Sequence, residues 1–302
     1  MEHFCKGKRL LPRGFKDKSY LKNLKGYYVP YWLFDCEAQA DMSFHTTRTR
    51  CWSDSDYNYV ETSHYLVQRG GEMTFYHVPV DGSVEMEDAT TESIEPFDYK
   101  DVTAFNPAYL AGYETDKYDV DAKTAEKRAK ERLYNTAESA LRNTVVGYET
   151  VVPKRRQMDA QSGKISYALF PVWLFEMVYD KKKYQFAING QTGKLTCDVP
   201  ADRKKSLAWG GGVFAGVLGL SALALGLADQ LASGTLLLAA ILAAIVALIV
   251  VGCLRGQLKQ AAQQSAAGGY IREGSFRLDV NADHFLYEST TKRKIENNTQ
   301  KK

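Results

Sequence analysis

Residues 207–228 read LAWGGGVFAGVLGLSALALGLA and residues 231–254 read LASGTLLLAAILAAIVALIVVGCL, two runs without a charge. At 1.5 Å per residue each exceeds the roughly 20 residues needed to cross a hydrocarbon core of about 30 Å. A helix on the surface of a water-soluble protein keeps one polar face, and neither run has one. The two runs predict a transmembrane helical hairpin over 207–254 (207–228 and 231–254), with Asp229 and Gln230 as its tight turn. Gly212 and Gly216 in the first span, and Ala239, Ala243 and Ala247 in the second, form rows of small residues that let helix backbones approach. They are the expected packing positions within the hairpin, and a homodimer through the same rows is a second reading.

Charges at the ends orient the hairpin. Arg203, Lys204 and Lys205 precede the first span, Arg255 and Lys259 follow the second, and the intervening loop has no Lys or Arg. By the positive-inside rule both termini are expected on the cytoplasmic side of a bacterial cytoplasmic membrane. Met1 to Tyr20 is basic and lacks the apolar core of a signal peptide. Neither span carries an ionisable residue, the usual marker of a proton or ion pathway, so a channel or transporter is not expected.

Outside the hairpin the chain is polar. A hydrophobic content of 45 % over 302 residues excludes a wholly disordered chain. Mean hydropathy is nevertheless −0.35, because the long apolar runs are concentrated in one region. A net charge of +3 is too small by itself to argue for nucleic acid, which needs a concentrated basic face. The five cysteines, Cys5, Cys36, Cys51, Cys197 and Cys253, are scattered with no C-x-x-C pair. Neither a zinc site nor a disulfide framework is expected from that spacing, and no cofactor is expected in this chain.

The pattern of the soluble part predicts an α+β fold: a β-rich antiparallel cytoplasmic domain over 1–206 with one long helix, then the hairpin and a C-terminal β-hairpin. Pro30-Tyr-Trp-Leu-Phe-Asp35 returns as Pro171-Val-Trp-Leu-Phe-Glu176, an internal repeat read as two aromatic strands, each opened by a proline. Trp32 and Trp173 are expected to be core residues of related sheets. After the second copy, 178–189 reads as strand, polar turn, strand. Between the copies, residues 57–80 alternate and are interrupted at Gly70-Gly71, the composition of a two-residue hairpin turn. A turn centred there sets His64 opposite His77, two of the ligands a zinc or copper ion would need. The acidic stretch 81–121 reads as an ordered connection laid over the sheet.

Asp121 to Asn143 is the long soluble helix. Asp121 caps it, and Ala122, Ala125, Ala129, Leu133, Ala137, Ala140 and Leu141 recur at three- and four-residue spacing, leaving Lys123, Lys127, Lys130 and Arg132 to solvent. Beyond the second span, 255–269 is expected as a juxtamembrane helix or linker ended by Gly268-Gly269. A C-terminal β-hairpin is expected over 270–290, turning at Asn281-Ala-Asp283, and a disordered tail over 291–302. Near the N-terminus Lys6, Lys8, Arg9, Arg13 and Lys16 fall close together as an expected interaction surface.

Lys6-Gly-Lys-Arg-Leu-Leu-Pro12, Gly26-Tyr-Tyr-Val-Pro-Tyr-Trp-Leu-Phe-Asp35, Pro107-Ala-Tyr-Leu-Ala-Gly112, Pro171-Val-Trp-Leu-Phe-Glu176 and Asn189-Gly-Gln-Thr-Gly193 occur in that order. Together with the hairpin they resemble a bacterial family of uncharacterised membrane proteins with an N-terminal TFIIB-type zinc ribbon. The resemblance covers essentially the whole chain and implies residence in a membrane. It also implies a four-cysteine ribbon, which this chain lacks, since it begins where the ribbon and its linker would end. Zinc is expected only with such a ribbon upstream, so the chain is either cut short by a late start or a ribbonless member. A helicase is excluded, because the phosphate-cradling G-x-x-x-x-G-K-[ST] loop is missing.

These readings converge on a non-enzymatic domain anchored in the bilayer that binds or positions another protein. An alternative is contact with nucleic acid or anionic lipid through the basic N-terminus, where phosphate contacts weaken steeply with salt. A further alternative is a membrane-associated hydrolase using His64, His77, Asp54 and Asp56.

Overall fold

The computed structural model describes residues 5–16, 24–84, 86–115, 117–227, 233–258 and 263–295. In chain order the elements are β1 (Lys25–Ser53), β2 (Tyr57–Asp81), α1 (Asp88–Ser93), β3 (Glu114–Thr115), α2 (Ala122–Asn143), β4 (Thr150–Tyr179), β5 (Lys182–Asn189), β6 (Leu195–Thr196), α3 (Arg203–Leu227), α4 (Ser233–Gly256) and β7 (Arg277–Lys294). The chain is α+β, with a large antiparallel sheet. It forms two units: Met1–Val29, Val84–Lys117 and Leu169–Gln263 make the first, and Pro30–Ser83, Tyr118–Ala168 and Gln264–Lys302 the second.

In the first unit, β4 pairs antiparallel with β5 and β5 with β6. The β4–β5 turn is made by Asp180 and Lys181, both at positive φ (50° and 62°), the conformation of a tight two-residue hairpin. The short β3 lies parallel to the start of β1, Tyr27 opposite Glu114. Gly26 is required there, since a Cβ would lie 2.6 Å from the Tyr113 ring. Segment 94–98 is seated on the β5–β6 turn: Asn189 Nδ2 donates to the carbonyls of Ile94 (2.9 Å) and Pro96 (3.1 Å), and Phe97 stacks on Phe170 at 4.2 Å. The core of this unit gathers Leu10, Leu11, Phe15, Phe175, Met177, Phe186, Cys197, Val199 and Leu258.

In the second unit the strand order is β4-β1-β2-β7. Alternate residues of β1, from Cys36 through Ala38, Ala40 and Met42 to Phe44, are buried. Helix α2 packs on β2, and its Ala125, Ala129, Leu133, Ala137 and Leu141 are buried, the thin face that alanine spacing creates. Asp121 accepts a hydrogen bond from the Thr124 amide at 2.7 Å and caps the helix. Arg132 departs from the expected solvated face. It is fully buried and donates to the Pro79 carbonyl at 2.7 Å, because the helix sits close enough to bring its guanidinium to a strand end. Trp32 is half-buried rather than a core residue, donating to the Val120 carbonyl at 2.8 Å and packing on Tyr118 and Tyr167.

Two expectations about turns are corrected. Gly70-Gly71 is not a turn: β2 runs unbroken from Tyr57 to Asp81, with Gly70 opposite Asp41 and Gly71 opposite Ala40. The glycines mark a close approach of β7, since a Cβ on Gly71 would run into the Arg277 carbonyl and the β2–β7 register shifts between the two glycines. The real β1–β2 turn is at 54–56, where Asp54 Oδ1 accepts from the amides of Asp56 (2.8 Å) and Tyr57 (2.7 Å).

The C-terminal hairpin is likewise one strand. Asn281, Ala282 and Asp283 pair with Arg69, Gln68 and Val67, and β7 continues through Lys294, so 291–294 are strand rather than tail. Residues 296–302 lie outside the described residues. Helix α4 ends at Gly256, so the described part of the helix or linker expected over 255–269 is not helical beyond it, and 259–262 lie outside the described residues. In the second unit the segment from Gln264 on is held against α2, with Asn135 Nδ2 donating to the Ser265 carbonyl (2.8 Å) and the Ala267 amide donating to Thr136 Oγ1 (2.7 Å).

Helices α3 and α4 are both long and apolar enough to cross a membrane. They pack on each other, and Gly210 lies where a Cβ would be 3.4 Å from Val251. Ala239, Ala243 and Ala247 are the buried residues of α4. Gly212 and Gly216 do not take part as expected: both are exposed, with no atom within 4 Å of an added Cβ, because α4 meets the adjacent face of α3 that carries Gly210. The connecting Asp229 and Gln230 lie outside the described residues, as does Lys259.

Candidate functional site

A group of exposed cations of the first unit lies at one end of the α3–α4 pair, and the N-terminal segment helps to build it. Two tight turns fold that segment back, the Leu11 amide donating to the Lys8 carbonyl and the Phe15 amide to the Pro12 carbonyl, each at 3.2 Å. Leu10, Leu11 and Phe15 enter the core, where Trp209 and Leu254 pack against them from the start of α3 and the end of α4. Polar bonds then fix the segment to α3. The Asp202 amide donates to the Leu10 carbonyl (2.9 Å), Lys205 Nζ donates to the Leu11 carbonyl (2.6 Å), and the Arg9 guanidinium lies 4.7 Å from the centre of the Trp209 indole. Asp202 caps the helix, its Oδ1 accepting from the Lys204 and Lys205 amides at 2.9 and 3.2 Å.

The outcome is a basic collar. Arg9, Arg13, Arg203, Lys204 and Arg255 are exposed, and among the described residues none is paired with a carboxylate. Other cations of the chain are matched, among them Arg69 with Asp283 at 2.7 Å, Arg277 with Glu72 at 2.7 Å, Arg156 with Glu138 at 3.1 Å and Lys25 with Glu114 at 2.7 Å, while exposed Lys181, Lys182 and Arg155, like the collar, have no ion pair among the described residues. An uncompensated cluster of cations attracts anions.

Of the basic residues singled out in the sequence, Lys6, Arg9 and Arg13 are exposed, while the Lys16 side chain lies outside the described residues. Lys8 turns inward. Burial pushes its amine down to about 8, against the opposing pull of Cys5 and Cys197, and the amine is turned away from solvent although the residue is only half-buried. Burial in the same core pushes the Cys197 thiol up to about 12, which keeps it in the thiol form at neutral pH. Arg203, Lys204, Arg255 and Trp209 complete the collar. Sequence reading used the first three only to orient the spans, since nothing local shows that they return beside Arg9.

The other candidate residues are not brought together. His64 and His77 lie 13 positions apart on the one strand β2, about 40 Å at strand rise, so the facing pair does not exist. His64 instead bonds His45 across the strands (Nδ1 to Nε2, 3.3 Å) and stacks on Tyr287 at 4.3 Å. His77 sits at φ 53°, its amide and ring Nδ1 both donating to Asp35 Oδ1 at 2.9 Å. Asp54 is consumed by its turn, where the Asp56 and Tyr57 amides and the Tyr59 hydroxyl hold its carboxyl below the usual range. The constellation suggested for a hydrolase is thus dispersed. No group of three or more His, Cys, Asp and Glu arranged to hold a metal occurs among the described residues, and all five cysteines are unbridged.

No family model matches the chain, and no solved structure matches it. Over 231 residues it is 33 % identical to the uncharacterized protein YdjG of Bacillus subtilis (strain 168), a stretch covering 76 % of this chain and 67 % of that protein. The chain therefore belongs to the bacterial family of YdjG.

Proposed function

We propose that this protein is a non-enzymatic, membrane-anchored module. In this reading α3 and α4 cross the bacterial cytoplasmic membrane as a hairpin, both termini are cytoplasmic, and the β-rich part recruits or positions a protein partner at the membrane. The observation that carries the reading is the apolar helix pair left uncovered over most of its surface, with five cations that have no carboxylate partner among the described residues at the end where its two long flanks emerge. A soluble protein of this size rarely exposes apolar patches beyond a few hundred Å².

The partner surface in this reading is the edge strand β7. One of its sides is taken by β2, and Phe285 and Tyr287 are 57 % and 54 % exposed. An edge of that length is a template for an added strand, a mode in which main-chain hydrogen bonds give affinity and alternate side chains give specificity. A photo-crosslinking residue in place of Leu286 tests it in membranes of the native host. One reproducible protein adduct, absent with the same probe at exposed Val146, supports the reading. Equal or no adducts at both positions reject it.

A further inference from the structure

The Gly212 position on α3 is open where helix packing offers no reason for a glycine. Its face is turned away from α4, and a Cβ there would meet nothing within 4 Å. Beside it, Ala208, Trp209, Gly212 and Val213 line an apolar groove of about 470 Å³. Lys205, Trp209, Gly212 and Val213 follow one another at helical spacing on one face, and Lys204 lies one turn above Ala208. At 1.5 Å per residue Gly212 is about 10 Å below the lysines, within reach of the acyl chain of a lipid whose phosphate lies beside them. The rim of the groove is cationic: Arg9 lies over the Trp209 indole at 4.7 Å, and Lys205 is held by the Leu11 carbonyl. Trp209 itself has the residue type and depth of an interfacial anchor.

Resting on the membrane reading above, we infer that this groove and rim form a seat for one anionic phospholipid, its phosphate against Arg9 and Lys204 and an acyl chain along Trp209, Gly212 and Val213. Charge complementarity selects the occupant. The cations of the collar have no carboxylate partner among the described residues, and the groove beneath them is lined by apolar side chains. A soluble anion would satisfy the rim and leave the groove empty, whereas a zwitterionic lipid would fill the groove and bring its own cation to the rim.

The test uses the full chain in nanodiscs of phosphatidylcholine and phosphatidylglycerol at 3:1, with spin-labelled forms of each lipid reporting association. The wild type should prefer phosphatidylglycerol severalfold. Arg9→Gln and Lys204→Gln should each lower that preference by up to about fivefold, the factor expected for one cation near a bilayer surface. Gly212→Leu, which fills the groove without touching a charge, should weaken retention of the labelled anionic lipid while the chain stays inserted. No anionic preference in the wild type overturns the seat, as does preference unchanged in all three variants. Displacement of the labelled lipid by millimolar inorganic phosphate or by a short oligonucleotide also overturns it, because the rim alone would then be the site. Resistance to carbonate extraction separates the two claims: an inserted chain without lipid preference rejects the seat alone, and an extracted chain rejects the anchor beneath it.

Discussion

Arg69 Nη1 and Asp283 Oδ1 lie 2.7 Å apart and tie β7 to β2 across the point where the sequence pattern suggests a turn. The Arg69 side chain is 5 % exposed and that of Asp283 40 %. Arg69 Nη1 also donates to the Gln68 (2.8 Å) and Ala282 (3.3 Å) carbonyls, and the Tyr148 hydroxyl donates to Asp283 Oδ2 at 2.7 Å. The buried guanidinium thus depends on one half-exposed carboxylate. Asp283→Asn should cost about 1–2 kcal/mol, below the value for a fully buried pair because solvent screens the carboxylate. Thermal melts of the variant against wild type measure it.

The same cluster sets limits at both ends of the pH range. Burial works against the Asp283 charge, but the bonds from Arg69 and Tyr148 outweigh it and hold the carboxyl below its usual value. A depressed carboxyl contributes stability that is present above its unfolded value near pH 4 and is lost as pH falls through the folded one. Burial first, and the bond to Asp283 second, push the Tyr148 phenol up to about 12. Its contribution is complete below about pH 10 and is lost as pH rises toward 12. Tyr148→Phe should therefore flatten the alkaline limb of a stability–pH curve between about pH 10 and 12, and leave the acid limb to Asp283.

The two mid-strand glycines should respond differently to alanine. At Gly71 the new methyl meets the Arg277 backbone, which can move only by opening the β2–β7 ladder. At Gly70 it meets first the Asp41 carboxylate, the end of an exposed side chain that can swing aside, and then Val280 at 3.1 Å. Gly71→Ala should destabilise by more than about 2 kcal/mol and speed hydrogen exchange along β7, while Gly70→Ala should cost about 1 kcal/mol or less.

The half-buried Lys8 makes stability depend on pH. With its amine pushed down to about 8 by burial, the folded chain lacks a proton that the unfolded chain holds between about pH 8 and 10.5, so stability rises with pH across that window. Below it both states are charged and the full burial cost remains. Lys8→Met should abolish that rise, read by chemical denaturation at pH 7 and pH 10.

Where local chemistry decides structure, the sequence is legible. The uncharged runs of α3 and α4, the capped alanine stripe of α2 and the Asp180-Lys181 turn each follow from neighbouring residues. Where a distant strand decides, it is not. Gly70-Gly71 has turn composition, yet the glycines answer to the approach of β7 from some 200 positions away. Asn281-Ala-Asp283 has turn composition too, yet Arg69 holds it in a ladder. Arg132 reads as a solvated charge until Pro79 is placed above it. The collar was half legible for the same reason, since its cations come from three separate segments that only the buried Leu10 and Leu11 bring together.

The direct test of the membrane account is the side on which the α3–α4 connection emerges. In a cysteine-free background, one variant restores exposed Cys51 alone and a second carries only Asp229→Cys. Both are expressed in the native host and treated as intact cells with a membrane-impermeant maleimide. The account predicts labelling of Asp229→Cys in intact cells and of Cys51 only after lysis. Labelling of Cys51 in intact cells, or protection of both positions until lysis, would contradict it.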